Sequence, residues 1–172
     1  MKIGVLSDTH SHWDDKFALY LAECDEIWHA GDIGDISILE RLEALGPRVR
    51  AVSGNVDHGM VRRRCPELLT FTAGGLKVLM THIGGYPGRY APGMATLLRE
   101  ERPQIMVAGH SHILKVMYDD RLDVLHINPG AAGLQGWHKQ RTLIRFCIDP
   151  NPVTGQPEPH HLEVIELGAP RL

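Results

Sequence analysis

The amino-acid sequence predicts an α/β domain built from mixed β-sheets, two of them packed face to face with helices outside. The first third of the chain alternates short apolar segments with helical ones, which is typical of parallel strands joined by crossover helices. The remainder is dominated by pairs of apolar segments separated by tight turns, which indicates β-hairpins. The 172 residues suit one domain, which we expect to span residues 1–172.

The opening third is interpreted as three strands, each of which stops at a polar or glycine-containing run. Asp35 is placed to cap the helix between the second and third strands, and Gly46 and Pro47 end that helix. The expected strands cover residues 2–7, 26–30 and 48–53, and the expected helices cover residues 14–24 and 36–45.

The second part of the chain is interpreted mainly as hairpins. Gly74 and Gly75 form a two-residue turn between two strands. The basic run at residues 62–64 is interpreted as a solvated loop, with contact to a substrate phosphate or an acidic partner as the alternative. A proline-rich surface loop separates the last two strands. The expected strands cover residues 68–73, 76–81, 105–108, 115–119, 122–127, 141–148 and 160–167, and a helix covers residues 93–102.

Composition disfavours several classes of function. The net charge is −3 and the mean hydropathy is −0.16, so the chain lacks the basic surplus that binds a nucleic-acid backbone. No apolar stretch approaches the ~18 residues of a transmembrane helix, and the amino-terminal apolar stretch is too short for a signal peptide. Three cysteines without a Cys-x-x-Cys spacing indicate neither a disulfide framework nor a thiolate metal site. We therefore expect a cytoplasmic protein that binds no membrane and forms no stable complex with nucleic acid.

Polar side chains cluster where five of the expected strands end. In an open α/β sheet the carboxyl ends of the strands share one edge, so these clusters can converge although they are far apart in sequence. Two carboxylates, one amide and four imidazoles, with no thiolate, suit divalent metals such as Mn, Fe, Co, Ni or Zn. The seven side chains are Asp8, His10, Asp32, Asn55, His82, His110 and His112.

The order of these clusters, Asp-x-His, Gly-Asp, Gly-Asn, His and Gly-His-x-His, resembles that of the calcineurin-like metallophosphoesterases along most of the chain. The small size, the opening residues 1–10, the Gly-Asn-x-Asp variant and the late Asn-Pro-Gly run look most similar to the compact bacterial and archaeal phosphodiesterase branch. The resemblance implies a four-layer αββα sandwich that holds two divalent metal ions. We favour Mn for these ions, with Fe, Ni, Co and Zn as alternatives.

The resemblance also implies a role for each of the seven side chains. One metal would be bound by Asp8, His10 and His112, and the other by Asn55, His82 and His110, with Asp32 bridging the two. Asp32, Asn55 and His110 are further expected to take part in catalysis. These assignments predict hydrolysis of a small phosphodiester by direct attack of a metal-bridging hydroxide on phosphorus, with no covalent enzyme intermediate.

An alternative interpretation is a non-catalytic or weakly catalytic protein-interaction scaffold on the same fold, as in a eukaryotic retromer subunit that also lacks one motif histidine. The complete set of seven ligands favours the enzyme, because a scaffold has no physical reason to gather unpaired polar groups at one point. A nuclease of the same superfamily is disfavoured by the acidic net charge. The compact branch often forms homo-oligomers, so self-association is an open alternative to a monomer.

The third motif departs from the family pattern. Many members have a histidine at the position of Val56 that stabilises the transition state or protonates the leaving group, and valine can do neither. We therefore expect activity chiefly on esters with good leaving groups. His58 and, less readily, His12 or His29 are candidates to replace this histidine, with a solvent-exposed or loop-bonding role as the alternative.

Two other polar residues near the motifs have roles that the sequence leaves open. Asp57 has lost the histidine that it would have oriented. Asn128 either lines the site or belongs to a turn set by Pro129 and Gly130.

Overall fold

Two five-stranded β-sheets, a small hairpin and four short helices make up the fold in the computed structural model, which describes residues 1–170. Residues 171–172 of the expected domain lie outside the described part of the chain. The strands are β1 (Lys2–Leu6), β2 (Glu26–His29), β3 (Arg48–Ala51), β4 (Leu68–Ala73), β5 (Leu76–Thr81), β6 (Gly85–Tyr86), β7 (Arg89–Tyr90), β8 (Ile105–Val107), β9 (Leu114–Asp119), β10 (Val124–Pro129), β11 (Arg141–Pro150) and β12 (Pro157–Gly168). The helices are α1 (Asp15–Leu21), α2 (Ser37–Glu43), α3 (Gly59–Arg64) and α4 (Met94–Glu101). None of these helices has the length and apolar character needed to cross a membrane.

Both sheets combine parallel and antiparallel strands, as the sequence predicts. The first sheet has the order β12-β11-β1-β2-β3, in which β1, β2 and β3 are parallel and β11 is antiparallel to its two neighbours. The second sheet has the order β4-β5-β8-β10-β9, in which β5, β8 and β10 are parallel and both edge strands are antiparallel. The parallel strands of each sheet bring their carboxyl ends to one edge.

Three hydrophobic cores separate four layers of secondary structure. The core between the two sheets contains Val5 and Trp28 from the first sheet and Val107 from the second, all without exposed surface. A second core lies between the first sheet and α1, α2 and α3, where Phe17 is fully buried. A third core lies between the second sheet and α4, where Leu98 is buried. This layering confirms the four-layer αββα sandwich.

Two local elements differ from the sequence-based expectation. Residues 62–64 lie in α3 rather than in a loop, but only Val61 of that helix is buried, so its six residues carry too little apolar periodicity to be recognised. The loop after β5 contains the hairpin of β6 and β7, whose two-residue strands are too short to show alternation. The other predicted elements are present, with ends that differ by a few residues.

Hydrogen bonds donated by backbone N–H groups draw the loops after the parallel strands together. Within the first sheet, Asp8 N–H donates to Gly31 O at 2.9 Å, and within the second, Gly109 N–H donates to His82 O at 3.0 Å. Between the sheets, His110 N–H donates to the Asp8 Oδ2 atom at 3.2 Å. The loops after β1, β2, β5 and β8 therefore meet at one end of the sandwich.

Candidate metal centre

Asp8, His10 and His112 form one group of possible ligands at this end of the sandwich. One ligand atom from each lies within 4.8 Å of those of the other two. The Asp8 Oδ1 atom is 3.2 Å from His112 Nε2, and the Nε2 atoms of the two histidines are 3.5 Å apart. Asp8 is fully buried and both histidines are partly buried. The three side chains therefore surround a space that Asp8 closes toward the interior of the protein.

Asp32, His82 and His110 form a second group with the same compactness. The His82 Nε2 atom is 3.2 Å from Asp32 Oδ2, and the rings of His82 and His110 meet edge to face with centroids 5.2 Å apart. Asp32 and His82 are buried, whereas His110 is exposed. This group is therefore open to solvent on the His110 side.

The Asp32 carboxylate lies at the boundary between the two groups. Its Oδ2 atom is 3.2 Å from His82 Nε2 in one group and 3.8 Å from His10 Nε2 in the other. The second oxygen, Oδ1, accepts a hydrogen bond from Val56 N–H at 3.0 Å, which fixes the orientation of the carboxylate. Across the same gap, Asp8 Oδ1 is 3.9 Å from His82 Nε2. The six side chains thus form one continuous cluster of donor atoms.

Two buried atoms of the cluster, Asp8 Oδ1 and His82 Nε2, have no hydrogen-bond partner among the described residues. His82 Nδ1–H donates to Ala30 O at 2.8 Å, so in the neutral ring the lone pair is on Nε2. A buried polar atom left without a partner costs about 1–3 kcal/mol. Carboxylate oxygens and imidazole nitrogens are donors that borderline divalent cations accept. The residues present therefore fit divalent metal ions.

Charge and burial shift the pKa values within the cluster in opposite directions. Burial alone would raise the pKa of Asp32, but contact with His82 and the Val56 N–H hold it below its usual value. Burial alone would lower the pKa of His82, but the Asp32 and Asp8 carboxylates raise it above its usual value. Burial prevails at His10, whose pKa is lowered. A cation entering the cluster therefore competes with a proton at His82 more than at Asp32.

Asn55, the seventh predicted ligand, is exposed beside the second group. It lines a cleft together with Gly54 and His82. The structure therefore brings six of the seven predicted side chains into two compact groups and puts the seventh at the rim of one of them.

Five of the seven predicted ligands have a left-handed backbone conformation, which is rare for residues other than glycine. The φ angles are +54° at Asp8, +47° at His10, +52° at Asp32, +67° at His110 and +57° at His112. Each such conformation costs on the order of 1 kcal/mol or more. Other interactions must therefore hold these loops in place.

Asp57 supplies part of that support, which answers the question that the sequence leaves open. Its buried carboxylate accepts three backbone hydrogen bonds, at 3.1, 2.7 and 2.8 Å, from the N–H groups of Ile33, Gly34 and Gly54. The first two donors follow Asp32, and the third precedes Asn55. Asp57 is therefore a positioning residue that joins the loop containing Asp32 to the loop containing Asn55.

His29 and Thr9 provide a second support. Gly31 N–H donates to His29 Nδ1 at 3.2 Å, so the proton of the neutral ring is on Nε2, which contacts Thr9 Oγ1 at 2.9 Å. The Thr9 hydroxyl in turn donates to Ile33 O at 3.1 Å. Burial lowers the pKa of His29 to about 4, which keeps the ring neutral. Both ring nitrogens are occupied, so His29 does not replace the missing motif histidine.

Asn128 supports the loop that carries the last two histidines of the motif. Its Nδ2 atom donates to Gly109 O at 2.9 Å and to Ser111 Oγ at 3.1 Å, and its Oδ1 atom accepts from Gly130 N–H at 3.0 Å. The turn at residues 128–130 and the loop at residues 109–112 are thus held by one side chain. In the sequence, the Asn-Pro-Gly run draws attention to Asn128, but it does not indicate that the loop at residues 109–112 is its partner.

The position of the missing motif histidine opens onto solvent. The side chain of Val56 is 40% exposed and lines a cleft together with His10 and His58. The His58 Nδ1–H group donates to Val56 O at 3.0 Å. His12 lines a different cleft, beside Trp13. Of the three candidate replacements, His58 is the one that shares a cleft with Val56 and a predicted ligand.

The fold and the donor cluster together define a protein with a candidate metal centre at one end of an αββα sandwich. The family model of the calcineurin-like phosphoesterase superfamily domain matches residues 1–151. The chain belongs to this superfamily, and its relatives point to the compact branch.

Individual relatives agree with this assignment. A probable metallophosphoesterase of Methanothermobacter thermautotrophicus is 30% identical over 138 residues, which cover 76% of this chain and 77% of the relative. A phosphodiesterase of Methanocaldococcus jannaschii is 23% identical over 145 residues, which cover 76% of this chain and 83% of the relative. Among solved structures, wild-type Vps29 of Entamoeba histolytica complexed with Zn²⁺ gives a TM-score of 0.71 at 18% identity, covering 96% of this chain and 99% of that chain. This last likeness concerns the fold.

Proposed function

We propose that this chain is a phosphodiesterase that depends on two divalent metal ions and hydrolyses small phosphodiesters by direct attack of hydroxide on phosphorus. The observation that carries the proposal is the position of Asp32. Its carboxylate is 3.2 Å from His82 in one ligand group and 3.8 Å from His10 in the other. A carboxylate at the boundary of two groups is what a bridging ligand requires.

In this proposal the side chains divide into two ligand sets that share Asp32. When bound, a pair of divalent ions would lower the pKa of a water molecule that they bind and would neutralise charge on the phosphoryl oxygens. The sets are Asp8, His10 and His112 for one ion, and Asn55, His82 and His110 for the other. Oxygen and nitrogen donors without thiolate suit manganese, iron, nickel, cobalt and zinc, and of these metals we favour manganese.

The protein's own residues then hold and orient the ester. The exposed His110 and Asn55 face the side from which a substrate enters, and together with Asp32 they are the residues that we propose to act in catalysis. Val56 offers no proton to a leaving group, so we expect esters with acidic leaving alcohols to be preferred.

Hydrolysis of bis-p-nitrophenyl phosphate beside p-nitrophenyl phosphate tests this proposal, with manganese, nickel or zinc added and metal content determined on the same preparation. The wild-type chain should cleave the diester in a metal-dependent way, and Asp32→Asn should abolish that cleavage. Asp120→Asn is the matched control, because Asp120 is an exposed turn residue. Equal activity of Asp32→Asn and Asp120→Asn would contradict the proposal.

A second candidate function is a protein-interaction scaffold, non-catalytic or weakly catalytic. Two observations favour it: the likeness of the fold to Vps29, and the valine in place of the motif histidine. The same experiment separates the candidates, since stoichiometric metal binding with no turnover of either ester is expected of the scaffold.

A further inference from the structure

A cleft of about 270 Å³ opens beside the second ligand group. Two of its lining residues, Asn55 and His82, also belong to the candidate metal centre. Because the cleft and the centre share these walls, a phosphodiester whose phosphorus lies at the centre can direct one of its two ester arms into the cleft. This cleft is called the arm cleft below.

One residue that lines the arm cleft, Ser53, has a buried hydroxyl with no partner. Ser53 lines the cleft and is 2% exposed, and its Oγ atom has no hydrogen-bond partner among the described residues. A buried hydroxyl without a partner is costly unless a ligand or water completes its hydrogen bonds. Because the Oγ atom has almost no accessible surface, a ligand in the cleft does not reach it, and an exposed polar group that a ligand can contact there is the Arg62 guanidinium.

Among the described residues that line the arm cleft, Arg62 is the one with a permanent positive charge. Its guanidinium lies 2.6 Å from Glu67 Oε1, and the two side chains are 44% and 72% exposed. An ion pair exposed to this degree contributes little to stability, so an anion that enters the cleft can displace Glu67 at little cost. The planar guanidinium also matches phosphate and carboxylate groups with two parallel hydrogen bonds.

We propose that the arm cleft binds one ester arm of the substrate and that Arg62 recognises an anionic group, a phosphate or a carboxylate, on that arm. The inference rests on the proposed phosphodiesterase activity and assigns it a substrate class: phosphodiesters that carry a second negative charge. Glu67 opposes this recognition, because it occupies the guanidinium and adds negative charge to the same cleft.

Arg63 provides a matched control for Arg62. It is the next residue of α3, it has the same charge, and its guanidinium contacts Met60 Sδ at 2.9 Å. Arg63 is not among the described residues that line the arm cleft. Loss of Arg63 removes an arginine from the same helix without changing the cleft.

The test uses two substrates that differ in one phosphate: thymidine 5′-(p-nitrophenyl phosphate) and its 3′-phosphorylated form. Products are separated by chromatography, so cleavage on either side of phosphorus is detected. Arg62→Ala should lower kcat/KM about tenfold for the 3′-phosphorylated substrate, mainly through KM, and less than about twofold for the other. Arg62→Lys should retain part of the preference, Arg63→Ala should retain all of it, and Glu67→Gln should increase it. The preference should also weaken as salt is added, because Arg62 is partly exposed.

Two results would overturn the inference while leaving the phosphodiesterase proposal intact. One is that Arg62→Ala changes both substrates by the same factor, and the other is that Arg63→Ala has the same selective effect. Failure of the wild-type chain to cleave either substrate, with both metals bound, would instead contradict the phosphodiesterase proposal itself and the inference with it.

Discussion

The backbone of Gly54 packs directly against the carboxylate of Asp32, so that a Cβ atom at Gly54 would lie 2.1 Å from Asp32 Oδ1. Such an approach is far shorter than any contact that a carbon atom tolerates, and a second atom, the Asp32 backbone nitrogen, would lie 2.4 Å away. The glycine of the Gly-Asn motif is therefore required by the position of the Asp32 carboxylate.

Gly54→Ala is expected to displace Asp32 and to weaken metal binding by about 10–100-fold, the range typical when support of a ligand is lost. Calorimetric titration of the metal-free wild-type and variant proteins with manganese measures this change in affinity. Circular dichroism of the same sample shows whether the sandwich is retained. Unchanged metal affinity in a folded Gly54→Ala protein would contradict the role given to this contact.

Asp57→Asn is expected to destabilise the protein and to weaken metal binding at the same time. The amide keeps a single acceptor oxygen, and its NH₂ group would face at least one of the three backbone donors now bound by the carboxylate. We expect a loss of about 1–3 kcal/mol in the free energy of unfolding, measured with urea. Asp120→Asn, at an exposed turn, should leave both properties unchanged. A variant with wild-type stability and metal affinity would show that these hydrogen bonds do not position the loops.

Val56→His is expected to restore the proton donor that the third motif lacks. Turnover should rise more for esters with poor leaving groups, such as alkyl esters, than for nitrophenyl esters, with general acid catalysis typically contributing ~10²–10⁴-fold. Val153→His is the control, because Val153 lies in a distant exposed loop. An equal increase on both ester classes would contradict the view that valine at position 56 limits activity on poor leaving groups.

His126 is expected to make the fold sensitive to acid. It is buried in β10, neither ring nitrogen has a partner among the described residues, and burial together with the charge of Lys115 lowers its pKa to about 4. Between pH 6.5 and 4 the unfolded chain therefore binds a proton that the folded chain does not, so stability falls as the pH falls through this window. This difference in pKa makes the free energy of unfolding higher above pH 6.5 than below pH 4 by roughly 3 kcal/mol.

Urea unfolding of His126→Leu and of the wild-type chain, both in chelator and over the same pH range, checks this expectation. The variant should lose stability less steeply between pH 6.5 and 4. His29 retains its own low pKa and keeps part of the dependence in both proteins. Identical pH profiles would mean that His126 does not contribute.

The sequence predicts the strands and the order of the donor residues because both depend on local patterns. Apolar runs that stop at Asp8, Asp32 or His110 identify strands and, at the same time, a shared edge. The two ligand groups follow from that edge together with the family resemblance, and the structure brings six of the seven side chains together there.

The supports of the site could not be predicted, because they join residues through tertiary contacts. The three hydrogen bonds of Asp57 and the contact of Asn128 with Gly109 depend on how loops meet after folding. The left-handed conformation of the ligand residues is also invisible in the sequence, since none of them is glycine. The helix α3, which brings Arg62 to the arm cleft, is too short and too exposed to give a periodic signal.

Anomalous diffraction from crystals of the chain grown with manganese tests the bridging position of Asp32 most directly. We expect two anomalous peaks about 3.5–4 Å apart, with one carboxylate oxygen of Asp32 or both in contact with the two ions. A single peak, or two peaks with Asp32 contacting neither ion, would contradict the dinuclear centre.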